Sequence, residues 1–180
     1  MQSSEILKRL RACPGIPLAD LPSSSGIYAL RDHLGALSYL GLAHSEGFRV
    51  RVRNKHATGS EDRSHKFSCA YNSGRLWRDR HNGDKQDGSI AKRLRNQFIL
   101  KHCSASFVEV PDYGSKADLE LIERGVIALA SPAETIWNGK FTAADEPTEL
   151  VGQLIEELRL SHDDVAAINR QKQRYLESKQ

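Results

Sequence analysis

The chain has 180 residues, of which 39% are hydrophobic and 27% charged, and its formal net charge at pH 7 is +3. These values are typical of one soluble globular domain, and the longest apolar run, 126–130, is far too short to span a bilayer. The three cysteines are odd in number and lack CxxC spacing, which argues against a disulfide framework. We therefore expect a cytoplasmic protein that folds as a single domain over residues 1–180.

The positive charge is concentrated in the middle of the sequence. Residues 49–101 contain 14 Lys and Arg against 5 Asp and Glu, so this segment has an excess of nine positive charges while the rest of the chain has an excess of six negative charges. A basic segment between acidic flanks favours a surface that binds a polyanion.

The first half of the chain predicts a helix followed by a β-hairpin. Ile6, Leu7 and Leu10 have helical spacing within residues 4–12, and "CPGIP" then ends the helix. The apolar runs at 27–32 and 37–43 are separated by the turn sequence "HLGA", which predicts two antiparallel strands. A second helix is expected from Glu46 to about residue 60.

The second half predicts mostly helices and one further strand. We expect loops with one strand, "KFSCAY", over 57–89, a helix over 89–100, a strand over 104–111, a helix over 115–132 that Pro132 ends, and two helices within 148–178. Ser161 predicts the cap of the last helix. The expected fold class is therefore α+β, with a small mixed or antiparallel sheet flanked by helices.

Four sequence elements occur in an order that resembles the GIY-YIG nuclease superfamily. They are "GIY" at 26–28, "YLG" at 39–41 followed by an arginine-bearing helix, "LELIERGVIALASP" with Glu123, and "IWN" with Asn138. The resemblance covers residues 22–140, which would form the nuclease core. Residues 141–180 would then be a C-terminal helical extension.

The resemblance implies a role for each matching residue. Tyr28 would act as the general base or position the attacking water, and Tyr39 would bond to phosphate or water. Glu123 would bind one Mg²⁺ or Mn²⁺, with Glu120, one turn earlier, as the alternative ligand if the register differs, and Asn138 would orient the local backbone or a phosphate. Because a free phenol has a pKa of about 10, Tyr28 can act near neutral pH only if a metal or an arginine lies close enough to favour the phenolate.

In the predicted second helix, two positions of the family pattern each have two candidate residues. Counting from "YLG" without a gap selects Arg49 as the catalytic arginine, whereas aligning the apolar residues Phe48 and Val52 selects Arg51 with a "SEG" insertion before it. We favour Arg51, because the buried stripe of a helix determines which side chains face a cleft. One turn later, Lys55 and His56 both lie near the position where many family members have a histidine or tyrosine; "KHATGS" favours His56, although its spacing differs by one residue from the family pattern.

These residues predict a metal-dependent endonuclease that hydrolyses phosphodiester bonds, with double-stranded DNA as the expected partner and a restriction or mobile-element role. The alternatives are a catalytically inactive nucleic-acid-binding module, or a repair or toxin nuclease that acts on single-stranded or structured nucleic acid. Trp77, between Arg75 and Arg78, either stacks on bases or belongs to a small core under a long loop, and the sequence favours neither.

Overall fold

A four-stranded antiparallel sheet with helices on both faces gives the protein an α+β fold, as expected. The computed structural model describes residues 1–58, 66–73, 75–78, 85–138 and 145–178. The strands are β1 (Ile16–Pro17), β2 (Gly26–Arg31), β3 (Leu37–Ala43) and β4 (Ser104–Glu109). Their spatial order is β1-β4-β2-β3, so β2 is an inner strand and β3 lies at an edge.

The β2–β3 hairpin was correctly predicted. The side chain of Asp32 closes the turn, because its Oδ1 accepts hydrogen bonds from the backbone N–H groups of Leu34 and Ala36 at 2.9 and 3.0 Å. Gly35 in the turn has a φ of +80°, a conformation that side chains disfavour. The pairing register shifts near the turn, where Leu30 pairs with Tyr39 but Arg31 pairs with Leu37. Ser38 is thus an extra residue, a bulge beside Tyr39.

Alternate residues of β2 belong to two different cores. Ile27 and Ala29 pack with the apolar residues of α1 (Ser3–Ala12) and α4 (Lys116–Leu129). Tyr28 and Leu30 belong to the other, larger core, which also contains buried residues of a π-helix (Arg49–Ala57) and of α3 (Lys85–His102). Because successive side chains of a strand point to opposite faces, the tyrosine face of the sheet is the face that meets the basic segment.

The segment "KFSCAY" was predicted as a strand, and this was wrong. It forms the helix α2 (Lys66–Asn72), and Phe67, Ala70 and Tyr71 are buried at helical spacing. The apolar residues at i, i+3 and i+4 indicate a helix, whereas a strand would bury alternate residues. The strand β1 was not predicted at all, because it has two residues and includes Pro17.

The C-terminal helices are α5 (Thr148–Glu157) and α6 (His162–Glu177), as predicted, and α6 packs along α3. Ser161 caps α6 through a capping box with Asp164, which confirms that part of the sequence analysis. The boundary expected between residues 140 and 141 falls in 139–144, outside the described residues. In the part of the chain that the structure describes, no helix has the length and apolar character needed to cross a membrane.

Candidate active site

Tyr28 and Tyr39 lie on neighbouring strands with their rings stacked. The ring centroids are 6.2 Å apart with an interplanar angle of 27°. Tyr28 has no exposed surface and Tyr39 is 6% exposed. Burial raises the pKa of Tyr28 well above its ordinary value, and it raises the pKa of Tyr39 to about 12. Both phenols are therefore protonated at neutral pH in the substrate-free protein.

The glycines of "GIY" and "YLG" are required by close contacts. A Cβ on Gly41, which pairs with Tyr28, would lie 2.6 Å from the Tyr28 hydroxyl oxygen. A Cβ on Gly26 would lie 2.2 Å from the carbonyl oxygen of Val108, and Gly26 also has a φ of +151°. Each glycine therefore leaves room for a specific neighbour: Gly41 for the Tyr28 phenol and Gly26 for the backbone of β4.

The π-helix brings an arginine and a histidine to the tyrosine pair. His56 is fully buried, and its Nε2 is 2.7 Å from the hydroxyl oxygen of Tyr28. The positive charge of Arg51 also acts on this phenol and opposes the effect of burial on the Tyr28 pKa. Arg49 is exposed and its Nε donates to the carbonyl oxygen of Leu21 at 2.9 Å. Of the two candidates from the sequence, Arg51 is the one that reaches the tyrosines.

The π-helix accounts for the unusual spacing of these two residues. A π-helix bonds each N–H to the carbonyl five residues earlier, as the N–H of Thr58 does to Arg53 at 3.1 Å. Residues five apart are then about one turn apart, whereas an α-helix would place them on different faces. Arg51 and His56 are five residues apart, one more than a turn of an α-helix would allow. Because a π-helix has a wider turn, both side chains still lie on the side that faces Tyr28. π-helical turns are rare and are frequent at functional sites.

Glu123 is the carboxylate on α4 whose charge acts on both tyrosines. It is half-buried on α4, and its charge contributes to the raised pKa of both Tyr28 and Tyr39. Glu120, one turn earlier, instead forms an ion pair with Lys116 at 3.1 Å. The helix therefore presents Glu123, rather than Glu120, to the site.

Glu123 is the candidate metal ligand of this cluster, and it would contribute a single carboxylate. The described residues contain no group of three or more His, Cys, Asp and Glu that could hold a metal together. Mg²⁺ commonly keeps several waters and binds proteins through one or two carboxylates plus substrate phosphate. Glu123 offers one half-buried carboxylate whose charge acts on both Tyr28 and Tyr39, and this is the ligand number of that mode of binding.

Asn138 holds the edge strand rather than pointing into the tyrosine cluster. Its Oδ1 accepts from the N–H of Leu40 at 2.9 Å, and its Nδ2 donates to the carbonyl oxygen of Leu40 at 2.6 Å. The N–H of Trp137 adds a bond to the carbonyl oxygen of Ser38 at 3.1 Å. Together these bonds give the backbone of β3 hydrogen-bond partners at Ser38 and Leu40, the two residues on either side of Tyr39. Of the two roles expected for Asn138, the structure provides the orientation of the backbone.

Trp77 is part of a core and does not form an exposed stacking surface. It is 4% exposed, and its Nε1 donates to Glu146 at 3.1 Å. Arg75 is also buried, with its guanidinium 4.2 Å from the ring centroid of Tyr71. The sequence favoured neither base stacking nor a small core under a loop, and Trp77 instead belongs to the larger core that also contains Tyr28. Part of the positive charge in 49–101 is therefore internal, whereas Arg49, Arg53 and Arg93 are exposed.

The sequence analysis missed one acidic residue beside the site. Glu46, in the "SEG" insertion, forms ion pairs with Arg51 at 3.8 Å and with Lys55. An acidic residue just before a basic helix was the available signal, but spacing alone did not show that its carboxylate reaches two cations.

Comparison with known proteins gives no match: no protein-family model, no curated protein and no solved structure is significantly similar to this chain. Any assignment of the site therefore depends on the residues and the geometry described above.

Proposed function

We propose that the protein is a metal-dependent endonuclease of the GIY-YIG type that hydrolyses phosphodiester bonds, with double-stranded DNA as its substrate. The observation that carries the proposal is the convergence of Tyr28, Tyr39, Arg51, His56 and Glu123, which come from two strands and two helices. These five residues are also among the ones that the resemblance in the sequence indicates.

The proposed chemistry assigns Arg51 and Tyr39 to the phosphate. A phosphodiester gains negative charge as it is attacked, and a positioned guanidinium stabilises that charge. Arg51 is only partly buried, with 28% of its side chain exposed, so it can meet a phosphate at the surface of the site. The phenol of Tyr39 lies beside it and can donate a hydrogen bond to the same phosphate.

Tyr28 and His56 together provide a route for the proton of the attacking water. Because burial keeps Tyr28 protonated, the phenol is a poor base by itself. With Nε2 of His56 unprotonated, however, the phenol donates its proton to His56 and can accept one from water at the same oxygen. Tyr28 has no exposed surface in the free protein, so water cannot reach the phenol oxygen directly. In the proposed reaction, Arg51 moves away from the phenol to bind the phosphate, and water enters next to the phenol oxygen.

Glu123 would hold Mg²⁺ or Mn²⁺ at the site through its carboxylate. Such a cation, when bound, supplies positive charge that stabilises the leaving oxygen. The remaining contribution of the chain is rigidity: Asn138 fixes β3 and Gly41 leaves the space in which Tyr28 is packed.

The test is incubation of the purified protein with supercoiled plasmid, single-stranded DNA and RNA, each with Mg²⁺ and with EDTA, followed by sequencing of the new ends. We expect cleavage of double-stranded DNA with Mg²⁺ and none with EDTA. Binding that weakens steeply with salt but never leads to cleavage would instead support the inactive binding module. Cleavage of RNA or single strands alone would overturn the proposed substrate, and neither cleavage nor binding would overturn the proposal.

A further inference from the structure

One carboxylate bridges two cations of the π-helix. The Oε1 of Glu46 is 3.8 Å from Nη1 of Arg51, and its Oε2 accepts a hydrogen bond from Nζ of Lys55. The side chains are 28% exposed for Glu46 and Arg51 and 40% for Lys55. This ion-pair cluster therefore lies at the surface of the site, above the buried tyrosines.

The turn that presents Glu46 is fixed by its neighbours. Gly47 has a φ of +72°, and its N–H donates to the carbonyl oxygen of His44 at 2.9 Å. A Cβ at Gly47 would lie 2.1 Å from the carbonyl oxygen of Ser23, so a larger residue does not fit. The N–H of Phe48 also bonds to Ser24 at 2.9 Å. The backbone next to Glu46 therefore has little freedom to carry its carboxylate away from the π-helix.

The bridge resembles the way in which two oxygens of a phosphate are bound. Carboxylates and phosphates both offer paired oxygens to arginine and lysine donors. In addition, Nε of Arg51 is buried and has no hydrogen-bond partner among the described residues, so the guanidinium has an unsatisfied donor while it is paired with Glu46. Burial lowers the pKa of Arg51, but Tyr28, Tyr39 and Glu46 together raise it above its ordinary value, so the guanidinium remains charged.

Glu46 neutralises part of the charge of this cluster in the free protein. Among the described residues, Arg51 and Lys55 are its two cations, and Glu46 pairs with both. A phosphate that enters the cluster therefore competes with the Glu46 carboxylate for the same two cations.

We propose that Glu46 is an internal competitor of the substrate phosphate: it occupies Arg51 and Lys55 in the free protein, and Lys55 becomes a phosphate-binding residue when Glu46 releases it. The inference rests on the proposed function and extends it, since it adds Lys55 to the nucleic-acid contacts. It also makes binding at the cleft depend on the divalent cation, whose charge compensates for Glu46.

The experiment measures the affinity of a short DNA duplex in EDTA, where no cleavage occurs, over a series of salt concentrations. Glu46→Gln is expected to bind about 3- to 10-fold tighter than the wild type at low salt, with a log–log salt slope steeper by about 0.9, the value for one more phosphate contact. Lys55→Gln in the wild type is expected to have little effect. The same change in the Glu46→Gln background is expected to remove the gain.

The matched control is Glu5→Gln, which removes the same charge from a carboxylate paired with Arg9 at 3.0 Å on α1. A gain equal to that of Glu46→Gln would mean that only the net charge matters, and it would overturn the inference. The inference is also overturned if Glu46→Gln leaves the affinity unchanged, or if Lys55→Gln does not remove the gain. In either case the nuclease proposal stands as long as the wild type cleaves DNA with Mg²⁺. If neither the wild type nor Glu46→Gln binds or cleaves DNA, both proposals are wrong.

Discussion

The hydroxyl oxygen of Tyr28 and Nε2 of His56 are 2.7 Å apart in a part of the core where neither residue has any exposed surface. A buried tyrosine–histidine hydrogen bond can be structural, or it can move a proton. The two possibilities differ in what happens when the hydroxyl is removed and the ring is kept.

Tyr28→Phe is expected to lower the rate of DNA cleavage by on the order of 10²-fold or more, because the phenol oxygen that exchanges the proton is lost. His56→Phe should cause a similar loss, and the double variant should be little worse than either single variant, since both act on one proton. Tyr71→Phe is the control: Tyr71 is buried in the same core, its hydroxyl bonds to Nδ1 of His33 at 2.8 Å, and the ring of Phe67 lies between it and Tyr39. Equal rates for Tyr28→Phe and Tyr71→Phe would make the Tyr28–His56 bond structural.

Gly41→Ala is expected to destabilise the fold by about 1–3 kcal/mol, because the new Cβ would lie 2.6 Å from the Tyr28 hydroxyl and 2.9 Å from the Tyr39 ring. Cleavage should slow as well, since both phenols have to move. Chemical denaturation and plasmid cleavage measure the two effects. In Gly152→Ala on α5, where no atom lies within 4 Å of the added Cβ, stability should be unchanged or higher. If both variants are as stable as the wild type, the proposed packing of Tyr28 against Gly41 is wrong.

Asp87 should make the stability of the protein sensitive to acid. Arg170 and Arg174 on α6 hydrogen-bond to its carboxylate and lower its pKa to about 2. A lowered pKa in the folded state gives stability that is present above the unfolded pKa of about 4 and is lost as the pH falls towards 2. Asp87→Asn should therefore cost roughly 1–2 kcal/mol at pH 7 and much less near pH 2.

Denaturation at a series of pH values checks the Asp87 prediction, with Asp20→Asn, a change at an exposed carboxylate, as the control. A difference between wild type and Asp87→Asn that stays constant from pH 7 to pH 2 would show that the two arginines do not shift the pKa of Asp87.

The sequence predicted those parts of the fold that depend on local patterns. The hairpin, Ser161 as a cap and the helix with Glu123 follow from alternation, capping chemistry and 3.6-residue spacing. The strand predicted at 66–71 failed because short aromatic runs suit strands and helices alike, and only the burial of Phe67, Ala70 and Tyr71 on one side decides between them.

The sequence indicates the residue types of the candidate site but not their contacts. The one-residue mismatch between Arg51 and His56 could not be interpreted without the helix type, because an α-helix and a π-helix have the same sequence signals. The carboxylate of Glu46 and the backbone role of Asn138 depend on how separate elements meet, and Asn138 is 98 residues from Leu40 in the chain. Such long-range contacts are determined by tertiary packing, for which no local pattern exists.

The central claim is that Glu123 holds the divalent cation on which DNA cleavage depends. The most direct measurement is the rate of plasmid cleavage with Mg²⁺ by wild type, Glu123→Gln and Glu120→Gln, together with duplex binding in EDTA. We expect Glu123→Gln to lose cleavage while it binds DNA at least as well as wild type, and Glu120→Gln, one turn away on the same helix, to cleave at nearly the wild-type rate. Cleavage by Glu123→Gln at the wild-type rate, or a loss of cleavage in Glu120→Gln instead, would contradict the account.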